Sequence, residues 1–177
     1  LKCGRRFSLK SVLMLAIGCL EMLEFVHSNH FVHRNISPKT LLMGLQRESH
    51  VVFLGDFSLA RRFRNPKNLS HLSFKKNRIQ IGAPEFLSLN GQMGLELSRR
   101  DDLESLGLVL VYFLQGGLPW EKPPPAANKT EHDLMTEKKL KTSVEELCHG
   151  LPFEFTTYLS YCRTLDSAEE PDYGWLK

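Results

Sequence analysis

The chain reads as a mainly α-helical domain with a small β element. Three observations predict this. Two long segments place apolar residues at helical spacing, two short aliphatic runs lie between them, and shorter helical patterns follow toward the C-terminus. The length of 177 residues suits one domain with one core, so a single unit over 1–177 is expected.

The first helix is expected from Ser8 to about Asn29. Leu9, Val12, Leu13, Ala16, Leu20 and Leu23 form an apolar stripe, and Leu15, Cys19, Met22 and Phe25 widen it. A band this broad predicts a largely buried helix. Ser8 is the N-cap candidate, and Phe7 is placed to staple onto Val12 one turn inside. Two strands are expected at Leu41–Met43 and Val51–Leu54, the second favoured by its β-branched Val51–Val52 pair. From Arg61 to Asn90 no period holds, and Pro66, Asn68, Asn77, Gly82 and Pro84 punctuate the stretch. A long loop of this kind in a compact domain is usually functional.

"LSRRDDLESLGLVLVYFLQGG", Leu97–Gly117, predicts the second long helix. Ser98 can cap it, Asp101 and Asp102 complement its N-terminal dipole, and Gly116–Gly117 close it. Its later turns are apolar on every face, so it should run through the middle of the domain. "PPPAANK" reads as a stiff surface loop. Helices are then expected at about Glu131–Leu140, Ser143–Cys148 and Phe153–Leu165, and the chain reaches Lys177 inside a further helical pattern.

Composition narrows the function classes. Hydrophobic residues make up 42%, charged residues 24%, and the net charge is +3 with bases scattered among acids. That pattern argues against a nucleic-acid partner or a polybasic membrane anchor. The longest apolar run in a helical context, Leu106–Leu114, is far short of the ~20 residues of a membrane span. Cys3, Cys19, Cys148 and Cys162 form no C-x-x-C pair and read as reduced, which suits a cytoplasmic or nuclear protein. Cys148–His149 has no partners at metal-ligand spacing. Asn35, Asn68 and Asn128 open glycosylation sequons, a short pattern with many false positives.

The chemistry-bearing stretch is "FVHRNISPKTLLMG", Phe31–Gly44, with Asp56–Phe57 beyond it. Its frame "HR-x-x-x-P-x-x-L" resembles a protein-kinase catalytic loop. "FSLKSVLML", "LLMGL", "SRRDDLESLG", "LPW", "EKKL", "YCRTL" and "PDY" extend the likeness along nearly the whole chain. Together they resemble the C-terminal lobe of the casein kinase 1 family of serine/threonine kinases, its delta/epsilon-like branch in particular. "SRRDDLESLG" is the most specific of these, and "SLN" at Ser88–Asn90 resembles the family's substitute for the usual "APE".

The resemblance implies a helical kinase C-lobe in which Asp102 braces the backbone of His33 and Arg34. It implies ATP and Mg²⁺ as the family's cofactors, Leu42 as one wall of the adenine site, Asp56 as the relic metal ligand, and His33, Arg34 and Phe57 as structural residues. The departures are several. Asn35 stands at the position of the catalytic aspartate, Ser37 at that of the phosphate-neutralising lysine, Thr40 at that of the magnesium-binding asparagine, and Ser58 at the glycine after "DF". A neutral amide cannot accept the substrate proton, and loss of a positioned base costs on the order of 10²–10⁴ in rate. No G-x-G-x-x-G occurs in the 177 residues, so an N-terminal lobe is expected to be absent. An inactive chain that needs no cofactor and acts through protein partners is therefore expected. The alternative is part of an active ATP-dependent kinase when an N-lobe is present.

The family's basic anion pocket is also altered on this match. Glu85 and Glu131 replace bases, Asn128 stands where another would lie, and Lys129 alone keeps its sign. A preference for phosphorylated substrates is not expected.

Overall fold

The computed structural model describes residues 6–71, 80–125 and 128–177. Helix α1, Leu9–Ser28, is capped by the Ser8 hydroxyl, which accepts from the Ser11 amide at 3.2 Å. Strand β1, Phe31–Val32, comes next, then the hairpin of β2, Leu41–Met43, and β3, Val52–Leu54. The hairpin pairs antiparallel with Leu41 opposite Leu54, Leu42 opposite Phe53 and Met43 opposite Val52.

Strand β4, Arg61–Arg62, pairs antiparallel with β1. Helix α2, Leu89–Gln92, precedes α3, Arg99–Gln115, which is followed by α4, Glu131–Lys141, α5, Val144–Leu147, α6, Phe153–Thr164, and α7, Tyr173–Leu176. The fold is mainly helical with small antiparallel ladders, as expected.

Helix α3 is the central post. Leu103, Leu106, Leu108, Val109, Leu110 and Val111 are all buried, with α1 on one side and α6 on another. Gly107 permits the closest approach: a Cβ there would come within 2.6 Å of Leu159 on α6. Gly116 ends the helix in the left-handed region, φ 80°, with its amide on Tyr112 O. Among the described residues no helix is long and apolar enough to cross a membrane. Cys19, Cys148 and Cys162 are free and buried, while Cys3 lies outside the described residues.

Three expectations need correction. Helix α1 is not largely buried. Val12, Cys19, Leu20, Leu23 and Val26 face the core, but Leu9, Leu13, Met14, Ile17 and Phe25 are exposed. The helix is gripped by α3 on one face and by β1 and β3 on another, which leaves its third face open. Phe7 does not staple onto Val12; its ring packs on Phe113 with centroids 4.9 Å apart, and its amide donates to Phe113 O.

The stretch 61–90 is not one loop. It holds β4, a 3-10 turn at Pro84–Phe86 and the start of α2, with residues 72–79 outside the described residues. Elements of two to four residues are too short to show a period. Asp102 lies with Asp101 in the first turn of α3, as expected for the helix dipole. It turns inward, and Asp101 does the capping, accepting from the Ser98 amide at 2.8 Å.

Candidate functional site

The site is built on the loop between β1 and β2, held from below by the first turn of α3. Asp102 is 2% exposed, and its carboxylate accepts three hydrogen bonds. The His33 amide donates to Oδ2 at 2.7 Å, the Arg34 amide to Oδ1 at 2.8 Å, and His27 Nε2 to Oδ2 at 2.9 Å. A buried carboxylate is tolerable only when saturated in this way. The loop is thereby pinned at two consecutive amides, and Arg34 itself takes a left-handed φ of 65°. Arg34 Nε donates to Leu59 O at 2.7 Å. The His33 ring is buried, with Nε2 donating to Gly55 O at 3.0 Å and its edge on Phe57, centroids 4.8 Å apart.

The Thr40 hydroxyl ties the three substituted positions of the loop together through their backbone. Thr40 and Ser37 are both 3% exposed. The Thr40 hydroxyl accepts from the Ser37 amide at 3.1 Å and lies 3.0 Å from both Asn35 O and Ser37 O, between which its single hydrogen is shared. Asn35 Oδ1 accepts from the Ala83 amide at 3.1 Å. That bond ties the loop to the chain entering the Pro84–Phe86 turn, where Gly82 adopts φ 106° and a Cβ would meet Arg34 O at 2.7 Å.

Asp56 sits past the end of β3 in the left-handed region, φ 57°, with its side chain exposed. Its Oδ1 accepts from the Ser58 hydroxyl at 2.6 Å and the Ser58 amide at 3.3 Å. The Ser58 hydroxyl, then the Ser58 amide, hold its pKa below the usual carboxylate range. Leu42 is half exposed on β2 and leans over Gly55, where a Cβ would come within 2.9 Å of it. Phe57 is exposed beside the site.

The donor set would offer a magnesium nucleotide one exposed carboxylate, Asp56. Of the oxygens at the family's metal positions, the Thr40 hydroxyl is spent inside its own loop and Asp56 shares its carboxylate with Ser58. Neither Asn35 nor Ser37 brings charge to a phosphate, and phosphoryl transfer depends on such charges.

A groove of about 1010 Å³ opens behind the site, lined by Met14, Ile17, Met22, Phe25, Phe53 and Phe57 among others. It is the open face of α1 continued onto β3. At the expected anion pocket, Glu85 lies in the 3-10 turn and its carbonyl accepts from Trp120 Nε1 at 2.8 Å. Lys129, the base that kept its sign, donates to Glu137 at 2.5 Å, and Glu137 is pulled down to about 2 by hydrogen bonds from Lys129 and Lys141.

Sequence reasoning missed two residues. His27 reads as filler, yet it bridges Asp102 and Tyr173. The available signal was its place four residues after Leu23 and seven after Leu20, a polar ring on the buried stripe that must find partners. Lys139 is 1% exposed and donates to Pro84 O at 2.9 Å and Leu87 O at 2.8 Å, with Nζ 5.0 Å from the Trp120 ring centre. Burial pushes its pKa down to about 7. A neutral amine has two N–H groups, enough for both carbonyls.

The family model described as "Protein kinase domain" matches residues 3–164.

Proposed function

This chain belongs to the protein kinase family, and from that premise we propose that it is a casein kinase 1-like pseudokinase that works by binding protein partners. The observation that carries the reading is the closed hydrogen-bonding of the substituted loop. Thr40 spends its hydroxyl on the Asn35 and Ser37 backbone, and Asn35 spends its Oδ1 on the Ala83 amide, rather than offering them to a nucleotide or substrate hydroxyl. Scaffold and chemistry have parted here: the Asp102 brace is complete, while the groups that would act are neutral or engaged.

The open apolar face of α1 and β3 supports the partner-binding half of the proposal. Contiguous exposed apolar surface marks interaction sites on soluble proteins. Buried free thiols suit a reducing compartment, the cytoplasm or the nucleus.

Two measurements on the chain test this. Titration with millimolar ATP and Mg²⁺ should leave the melting temperature within about 1 °C of the unliganded value, since ligand at ~100 times Kd would add about 2.7 kcal/mol. Sedimentation over a concentration series should show self-association through the uncovered face. A melting shift of several degrees, or a monomer at every concentration, contradicts the corresponding half.

A further inference from the structure

We propose that the segment Leu165–Tyr173, which lies beyond the matched residues 3–164, is a strap that positions the His33–Arg34 loop, with Tyr173 and His27 as its positioning residues. The strap is fastened at several points to the elements that carry the site. Arg100 Nη1 donates to Leu165 O at 2.5 Å, and Arg99 Nη2 donates to Ala168 O at 2.8 Å and Glu169 O at 3.0 Å. Arg99 and Arg100 lie in the first turn of α3, three and two residues before Asp102. Further along, the Asp172 amide donates to the Tyr161 hydroxyl at 2.7 Å.

The strap ends by inserting Tyr173, 8% exposed, against His27, which is 2% exposed. The Tyr173 hydroxyl lies 2.5 Å from His27 Nδ1, and His27 Nε2 lies 2.9 Å from Asp102 Oδ2. Asp102 can only accept, so Nε2 must donate. In the neutral imidazole Nδ1 is then an acceptor, filled by the Tyr173 hydroxyl.

With His27 neutral the chain of bonds runs in one direction: Tyr173 to His27, His27 to Asp102, with Asp102 receiving the two loop amides. Each link is buried, so none can be replaced by water without opening the core. Residues 27, 33, 34, 102 and 173 come from four separate parts of the sequence, and the strap alone closes the far end. A buried imidazole is stabilised when both ring nitrogens find partners, and here the strap supplies the second of them. The bond gives His27 a fixed ring orientation, and through it fixes the carboxylate that sets the loop.

Amide hydrogen exchange on the full chain tests this, with Tyr173→Phe against Tyr161→Phe. Both changes delete one hydroxyl, but only the first touches His27. The strap predicts exchange at the His33 and Arg34 amides about tenfold faster in Tyr173→Phe, beyond any change in the α6 core amides. In Tyr161→Phe, which removes one fastening but leaves the His27 bond, it predicts faster exchange at Asp172 and a change at the loop amides well below that in Tyr173→Phe. His27→Gln, which keeps a donor and an acceptor, should preserve loop protection better than His27→Leu does. Unaltered loop exchange in Tyr173→Phe overturns the proposal, and so does an increase of equal size throughout the core. Should Tyr173→Phe not fold, a folded His27→Leu chain with protected loop amides overturns it equally.

Discussion

Replacing Asp102 by Asn keeps the size and shape of the side chain but removes its charge and one of its two acceptor oxygens. The carboxylate takes His33 N and His27 Nε2 on one oxygen and Arg34 N on the other. An amide offers one oxygen. In the better orientation that oxygen keeps the His33 and His27 bonds, now to a neutral acceptor, and an NH₂ faces the Arg34 amide at the 2.8 Å where an acceptor stood. Hydrogen bonds to a charged group contribute roughly 1.5–3 kcal/mol, and a buried donor left unmet costs about 1–3 kcal/mol. The expected loss for Asp102→Asn is therefore about 2–4 kcal/mol. At ~2–4 °C per kcal/mol for a domain of this size, the melting temperature should fall by about 5–15 °C. Urea denaturation followed by circular dichroism, with the slope of the transition checked for change, measures it. A variant within about 0.5 kcal/mol of the parent would refute the idea that this carboxylate holds the loop.

Stability should also depend on pH in a definite way. Between about 7 and its ordinary 10.5, Lys139 is deprotonated in the folded chain and protonated in the unfolded one, so stability rises with pH across that window, by at most about 1.4 kcal/mol per unit. From about 9 upward the unfolded chain releases thiol protons that buried Cys19, pushed up to about 12, and buried Cys162 retain, so stability falls. Urea midpoints from pH 6 to 10 should pass through a maximum near 8–9, and Lys139→Met should remove the rising limb; a steady decline from pH 7 in the parent would contradict this. Matched phosphoserine and serine peptides should bind equally poorly, because Lys129 is already paired to Glu137; tighter binding of the phosphorylated peptide that weakens with salt would show that an anion site survives.

An element is legible in the sequence when its pattern is long enough to repeat. Helices α1, α3, α4 and α6 announce themselves because each repeats its apolar spacing over several turns, and β2 with β3 because aliphatic residues cluster on both sides of a polar turn. Strands β1 and β4 are two residues each and exist only because they pair, so nothing local marks them. The exposed third face of α1 was invisible for a different reason. Leu13, Ile17 and Phe25 are as apolar as the residues that do find a core, and composition does not say which face meets a neighbour.

At the site, the brace of Asp102 on His33 and Arg34 was available from the motif frame. The private network of Thr40, Ser37 and Asn35 was not, since side-chain to backbone bonds within a loop depend on its conformation. His27 and Tyr173 lie 146 residues apart, and no local pattern links them.

The central claim is that the substituted loop transfers no phosphate, and radiolabelled ATP tests it most directly. The chain, incubated with Mg²⁺, labelled ATP and casein or an acidic peptide, should incorporate no more label than a control without protein. Asp56→Ala should leave that background unchanged. Incorporation clearly above background in the parent, abolished by Asp56→Ala, would contradict the account, because it would show Asp56 serving a metal nucleotide despite its bonds to Ser58.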